Sequence, residues 1–343
     1  MSRRGVQLGG LLRTVRAGHA PARALAIGDS RALVRSLFLA SAIQTGLLNA
    51  LAGGATFAEI AARIGCTRPE RLQAWLEVGT ELGEIAPRAG RYRLRGIRAR
   101  AIAGGDTTLN AHYRSMLDYQ AGCYADLGGL LGSAPGRGRA DLDDHADDIA
   151  RVSLAAMPFI ETYLTSVMAQ IRPARILDVG CGTGVYARIV AGLSPQVLVD
   201  GIDLAPAVID AARAEVRAAG LDGRIRLQAG DVRTWTPEAG VGYDLILLLN
   251  NVYYFPRGER TGLYRRLARL LTPPGHLIVT TLAAPGSVAA AHLNFMLACQ
   301  AGAAALPRDG ELEADLVDAG FTDVHAQRIV PAEPFLAARA ILR

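Results

Sequence analysis

The sequence predicts an α/β protein, with a doubly wound, mostly parallel sheet in its C-terminal half and a mainly helical domain before it. Three observations lead there. From Arg172 onward, strand-like and helix-like segments alternate, which is the grammar of a parallel sheet covered on both faces. One of those strands ends in a run of glycines that opens directly into a helix. Before residue 105 the periodicity is helical and closes on a short alternating ribbon.

Half of the 343 residues are hydrophobic, enough for a large core, so intrinsic disorder is excluded and two domains are expected. All 37 basic residues are arginine, which excludes any mechanism built on a lysine Schiff base or a phosphate-loop lysine. Cys66, Cys123, Cys181 and Cys299 lie far apart and form no CxxC pair, so neither a disulfide framework nor zinc is expected, and a reducing cytoplasm fits. No apolar run approaches the ~20 residues of a membrane span, and the first twenty residues lack the apolar stretch of a signal peptide. Charge is uneven: residues 1–100 hold 16 arginines against six acids.

The elements follow in order. Residues 1–29 read as a basic arm, with Leu8, Leu11, Leu12 and Val15 at helical spacing. Residues 30–104 read as one domain. Its first helix runs from Ser30 along Leu33, Leu37, Ala40, Ile43, Leu47 and Leu51 until Gly53-Gly54 ends it. A short helix over 57–65 follows, then one capped by Thr67 with Pro69 in its first turn, and then a ribbon around Pro87-Arg88-Ala89-Gly90. Helix, turn, helix and ribbon make a winged helix, which serves either a DNA reader, with Arg91, Arg93 and Arg95 along phosphates, or a dimerisation module. Glu70, Glu77 and Glu81 on the second helix weigh against DNA, and no nucleic-acid partner is expected.

Residues 105–171 read as a helical connector that contributes to a substrate pocket. His112, Met116, Tyr119 and Cys123 fall on one side of its first helix, residues 133–148 break the pattern, and a second helix from 149 to 170 is interrupted at Pro158. Residues 172–343 hold strands at 175–179, 197–202, 224–228, 243–250 and 275–281, with helices at 185–193, 206–219 and 258–271 between them. After a helix at 310–319, two closely joined strands end the chain, and their short join requires them to be antiparallel.

The string Arg175-Ile-Leu-Asp-Val-Gly-Cys-Gly-Thr-Gly-Val185 carries the chemistry. Gly180, Gly182 and Gly184 allow a sharp turn and let a ligand approach the backbone. Asp203 ends the next strand, where a carboxylate can accept both hydroxyls of a ribose. The third glycine comes one residue earlier than a pyrophosphate site requires, and Asp178 just before the turn would repel phosphate but accept an ammonium group. An adenosine joined to an amino acid satisfies both acids.

With DVGCGTG at 178–184, Gly230-Asp231-Val232 after the third strand, the 243–250 strand and LTPPGHLIV at 271–279, the sequence resembles the class I S-adenosylmethionine-dependent methyltransferases over residues 150–343. With its helical front end, the whole chain looks like the small-molecule O-methyltransferases. That resemblance implies a Rossmann-like sheet, S-adenosylmethionine as cofactor, a homodimer built through the winged-helix domain, and a small, fairly apolar acceptor, aromatic or polyketide-like. It implies cofactor contacts from Asp178, Gly180, Cys181, Gly182, Gly184, Asp203, Leu204, Gly230, Asp231, Val232, Asn250 and Asn251.

One departure stands out. Where that group carries a His-Asp-Trp pattern after the fourth strand, this sequence reads Asn250-Asn251-Val252-Tyr253-Tyr254-Phe255, with Tyr253 in the place of the base. A phenol with its ordinary pKa near ~10 is a poor base at neutral pH. Another group takes the proton, or the acceptor needs no strong base, or the protein binds the cofactor without methylating. The candidates are Tyr253, His112 and His292, the last on a segment inserted before the final helix, where His292, Phe295, Met296 and Cys299 share one helical face. Met116, Tyr119, Tyr163, Tyr254, Phe295 and Met296 are the acceptor-binding candidates. No spacing supports a metal site.

Overall fold

The computed structural model describes residues 13–15, 18–132, 135–138, 145–302 and 304–343, so the Leu8, Leu11 and Leu12 stripe lies outside the described residues. The chain divides into two compact units, Met1–Tyr124 and Ala125–Arg343, and the division falls inside the segment read as a connector.

In the first unit, α1 (Ala20–Gln44) begins ten residues earlier than expected, with Pro21 in its first turn, where a missing N–H costs nothing. The single helix expected through Leu51 is broken instead at Gly46, whose φ of 74° turns the chain into α2 (Leu47–Ala50). Next comes α3 (Phe57–Arg63), closed by a capping box in which the Glu59 amide donates to Thr56 and the Thr56 amide donates to Glu59. Arg68, not Thr67, is the cap of α4 (Pro69–Glu81), and no side chain closes that end, because Pro69 sets the start by itself. Strands β1 (Ile85–Arg88) and β2 (Arg91–Leu94) pair antiparallel around Ala89 and Gly90, both at positive φ, as a tight hairpin demands. Arg91 spends its charge inside the unit, on Glu59 at 2.9 Å and on the Gly54 carbonyl.

Two more helices, α5 (Ile97–Ala103) and α6 (Thr107–Ser115), lead into a π-helical turn at Met116–Gln120 and then α7 (Ala121–Ala125). That turn corrects the expected face. Ala111, Ser115, Tyr119 and Cys123, four apart, are the buried stripe, while His112 is exposed and Met116 only half-buried. The core of this unit gathers Phe38 and Leu39 of α1, Leu76 of α4 and Ile85 of β1.

In the second unit, α8 (Leu127–Leu130) and α9 (Ala146–Ser153) precede α10 (Met157–Ile171). The helix expected over 149–170 is therefore in pieces. Pro158 cannot accept a helix running through it, since it lacks an N–H and its ring clashes one turn back, so the chain makes a 3-10 turn at Leu154–Ala156 and restarts. Contrary to the expectation that no apolar run approaches a membrane span, the stretch Asp148–Ile171 is long and apolar enough to cross one, and its Ile160, Leu164, Val167 and Met168 are core residues.

The sheet then builds as β3 (Arg175–Val179), α11 (Val185–Leu193), β4 (Leu198–Asp203), α12 (Pro206–Ala218), β5 (Ile225–Ala229), β6 (Tyr243–Leu249), α13 (Arg257–Ala268), β7 (Leu271–Leu282), α14 (Val288–Ala298), α15 (Glu311–Asp318), β8 (Thr322–Arg328) and β9 (Phe335–Leu342). Its seven strands run β5-β4-β3-β6-β7-β9-β8, all parallel except β9, which the short join after β8 forces to turn back. Successive residues of β6 serve opposite faces. Leu245, Leu247 and Leu249 pack with α10, α11 and α12, and Ile246 and Leu248 pack with α13 and α15. The strand order reverses between β3 and β6, so the crevice at their carboxyl ends is where an open sheet of this kind receives a ligand.

Candidate active site

The turn after β3 is held by its own backbone. The amides of Gly180 and Cys181 both donate to the Ile202 carbonyl on β4, and Gly180, Gly182 and Gly184 all take positive φ. Gly180 is required on a second count, because a methyl group there would run into the amide nitrogen of Asn251. At Gly182 the same methyl would meet nothing, so the turn presents bare backbone to open space. Gly184, at φ 69°, is then the N-cap residue from which α11 starts.

Two carboxylates flank the turn. Asp178 is 1% exposed at the end of β3, and its Oδ2 has no hydrogen-bond partner. Burial, followed by the charge of Asp203, pushes the Asp178 carboxyl up from 3.8 to about 7, against a hydrogen bond from the Ala187 amide. Asp203 closes β4 and accepts from Gly182 N at 3.0 Å and from Ala205 N at 3.0 Å. A carboxylate offers about four lone-pair sites, so acceptor capacity remains for a sugar. Leu204 beside it is half exposed, an apolar side chain at the crevice rim. The Cys181 thiol is pushed up by burial and by both acids, so it stays protonated and is no nucleophile.

Further along the carboxyl edge, Gly230 sits against the Trp235 ring, Val232 is buried, and Asp231 is engaged by Arg233, whose guanidinium donates to both carboxylate oxygens. That ion pair holds the Asp231 carboxyl below its usual range.

At the end of β6 the chain turns through Asn250 at φ 57°, with its amide donating to Thr280 O. Asn251 does not cap the following turn. Its Nδ2 donates to Val179 O at 2.5 Å, back across to β3, and its Oδ1 is left buried without a partner. Behind it, Tyr253 is buried and its ring lies 4.9 Å from that of Tyr254, which is half exposed. Burial, with the neighbouring phenols of Tyr254 and Tyr186, holds the Tyr253 hydroxyl well above its ordinary pKa. Sequence reading overlooked Tyr186, in the first turn of α11. Its hydroxyl is buried without a partner, and burial together with Asp178 pushes its pKa up. A tyrosine two residues past the last glycine of the turn was the available signal.

Asp178 Oδ2, Asn251 Oδ1 and Tyr186 OH are thus three buried polar atoms lacking partners around one turn, in a fold where such atoms are nearly always satisfied. Two acceptors and a hydroxyl suit an amino-acid moiety, with its ammonium toward the acceptors and its carboxylate toward donors. The residues present therefore fit the amino-acid end of the expected cofactor, and Asp203 and Leu204 fit its nucleoside.

The remaining candidates divide. His292, Phe295 and Met296 lie on α14, the first two half-buried and Met296 buried. The segment after α14 is tied to the Tyr253 turn, because Ala304 N donates to Tyr253 O at 3.1 Å and Arg260, itself buried, donates to the carbonyls of Phe255 and Ala305. His112, Met116 and Tyr119 belong to the first unit. His112 meets Tyr113 edge to face, and Tyr119 is only 2% exposed, which makes it a core residue. Tyr163 is separated from the turn, facing β8 and β9 beside Arg339. The sequence alone had no means of telling which face of α10 meets which strand.

Comparison with known proteins matches this geometry. Residues 176–275 fit the family model described as a methyltransferase domain. The Malonyl-(acyl-carrier protein) O-methyltransferase of Paenibacillus sp. (strain JDR-2) is 28% identical over 177 residues, 49% of this chain and 63% of that protein, so the chain spans less than two thirds of this relative. Among solved structures, the mitomycin 7-O-methyltransferase MmcR superposes with a TM-score of 0.78 at 16% identity, over 96% of this chain and 100% of that one. PigF with SAH gives 0.76 at 20% identity, over 92% and 98%. Residues 176–275 thus match a methyltransferase domain, and the strand order with its glycine turn between two acids is the fold these solved structures share.

Proposed function

We propose that the protein transfers a methyl group from S-adenosylmethionine to a small, fairly apolar metabolite, aromatic or polyketide-like in character, and that it works as a homodimer. The observation that carries the reading is the set of unpartnered buried atoms, Asp178 Oδ2, Asn251 Oδ1 and Tyr186 OH, around a turn of bare glycine backbone. Bound there, the cofactor supplies an electrophilic methyl on a sulfonium sulfur. Asp178 and Asn251 hold its ammonium group, Asp203 its ribose hydroxyls, and Leu204 with Val232 the faces of its base. Asp231, already held by Arg233, contributes less than its position in the sequence implied.

The protein's part in the reaction is alignment and exclusion of water, and good orientation alone is worth ~7–11 kcal/mol. Tyr254, half exposed at the crevice, with Phe295 and Met296 on α14, supplies apolar walls for the acceptor. Tyr253 stays a neutral phenol across the physiological range and positions rather than deprotonates. His292 is the candidate base, on the helix whose return segment is tied to the Tyr253 turn.

The homodimer rests on α1, where Leu25, Ile27, Leu33, Val34 and Leu37 remain exposed along a helix of 25 residues. Cys66, Cys123, Cys181 and Cys299 form no disulfide with one another, which suits a cytoplasmic setting.

The test is calorimetric titration with S-adenosylhomocysteine, followed by incubation with S-adenosylmethionine and candidate metabolites, reading the mass gain of one methyl group. Absence of S-adenosylhomocysteine binding removes the cofactor assignment. Tight binding with no methylated product across phenols, carboxylic acids, amines and activated carbons replaces the enzyme with a cofactor-binding protein.

A further inference from the structure

A cavity of about 620 Å³ lies between α10 and the β8–β9 edge of the sheet, and nothing in the methyl-transfer reading uses it. One stripe of α10, at helical spacing, and one face of β8 and β9, at alternate residues, form its walls. Phe159, Tyr163 and Val167 come from the helix, and His325, Ile329 and Arg339 from the sheet side. This is the size and the mixture, apolar walls with a few convergent polar groups, of a small-molecule site.

Its place in the sheet separates it from the cofactor. Arg339 pairs with Ile278 and Ile341 with His276, both midway along β7, and β9 is three strands away from β3. At ~4.8 Å per strand the two sites are ~14 Å apart across the sheet alone. The cavity runs along this strand pair from Ile341 to Ile329, whose amide donates to Phe335 O, so the strands between β9 and β3 are what separate it from the glycine turn.

Arg339 sets the charge of the cavity. It is half-buried, and two of its donors are spent on neutral acceptors, His276 Nδ1 at 3.3 Å and Gln170 Oε1 at 2.8 Å. Among the described residues it has no carboxylate partner. Three of its five N–H donors therefore remain for a ligand. The carboxylate that also lines the cavity, Asp323, is paired with Arg343 at the chain's end. Burial pushes the Tyr163 hydroxyl up, with the nearby Arg339 charge acting against it. The guanidinium, that hydroxyl and the His325 ring offer donors to one anionic head, and the Phe159 ring with Val167 and Ile329 offers an apolar cover for what is attached to it.

We propose that this cavity is a second small-molecule site that binds an aromatic carboxylate, with Arg339 gripping the carboxylate and Phe159 covering the ring. The probe is benzoate, with neutral benzamide as its isostere, titrated by ligand-observed NMR into the full chain saturated with S-adenosylhomocysteine. Benzoate binds, and benzamide binds about tenfold more weakly or worse, as expected when a charge-assisted pair is lost. Arg339→Gln lowers benzoate affinity about tenfold with S-adenosylhomocysteine affinity and Tm unchanged, and Arg339→Lys recovers part of it. Phe159→Ala weakens both probes and serves as the second variant if Arg339→Gln does not fold. Equal binding of benzoate and benzamide, no benzoate binding at all, or benzoate binding abolished by Tyr254→Ala but untouched at Arg339 and Phe159 overturns the proposal.

Discussion

The Gly182 amide donates to Asp203 Oδ2 at 3.0 Å, so the acid that ends β4 is also the clasp that shapes the glycine turn after β3. A side chain expected only to meet a ribose does structural work before any ligand arrives. Asp203→Ala therefore removes two things at once, the clasp and the sugar contact. With charge-assisted bonds worth ~1.5–3 kcal/mol each, the loss of one sugar contact alone lowers S-adenosylhomocysteine affinity roughly 10-fold to 150-fold by calorimetry. Affinity equal to wild type refutes the assignment of Asp203.

Asp178 makes the site pH-sensitive with a definite sign. Its carboxyl titrates at about 7 in the folded protein against 3.8 ordinarily, so the folded state holds a proton that the unfolded chain has released. The resulting stability is fully present below about pH 4 and is lost as pH rises through 7. An ammonium ligand reverses the preference by favouring the carboxylate, so S-adenosylhomocysteine affinity weakens as pH drops from 7 to 5.5, with proton release on binding. Asp178→Asn separates the two effects. It raises the stability of the unliganded protein at pH 8 by ~1–2 kcal/mol in thermal melts while lowering cofactor affinity.

Gly180→Ala meets two obstacles, a φ of 67° and the Asn251 amide. The expected loss is ~2–3 kcal/mol of stability, measured by urea unfolding, together with loss of cofactor binding. Adding Asn251→Ala relieves the collision but not the backbone strain, so the double variant recovers only part of the stability.

Tyr253→Phe and His292→Gln give opposite results if the proton leaves by the route proposed. Because burial keeps Tyr253 protonated, its phenylalanine variant retains kcat within about tenfold, and the pH profile shows no change on the alkaline side. His292→Gln lowers kcat by ~100-fold or more with S-adenosylhomocysteine affinity unchanged. An unaffected kcat in the second variant moves the proton transfer elsewhere.

Charging the open face of α1 tests the assembly. Leu33 is 61% and Leu37 41% exposed, and Leu33→Glu with Leu37→Glu is expected to convert a dimer to a monomer in light scattering at micromolar concentration without unfolding the first unit, whose core lies on the other side at Phe38 and Leu39.

Much of this protein is legible from neighbouring residues. The strand ending in Asp178, the glycines at positive φ, Asp203 one strand on, and the antiparallel pair at the C-terminus all depend on short-range rules of turn chemistry, period and loop length. The errors share a cause too. Gly46 broke a helix that the apolar stripe continued, Pro69 rather than Thr67 set a helix start, and a π-turn at Met116–Gln120 moved His112 off the buried face. In each, one residue's backbone preference or one inserted residue outweighed a periodic pattern.

The amino-acid sequence by itself determined the sheet, the sharp turn and the two acids beside it, because φ preferences and hydrophobic period act over a few residues. Only the tertiary structure decided that Asn251 spends its amide on Val179 and leaves its oxygen bare, that Tyr186 joins Asp178 at the turn, and that Tyr163 stands with Arg339 across the sheet instead. Those pairings join residues up to 176 positions apart in the chain, as for Tyr163 and Arg339. They follow from which helix face lands on which strand, a choice made by packing the whole core and written in no local run of residues.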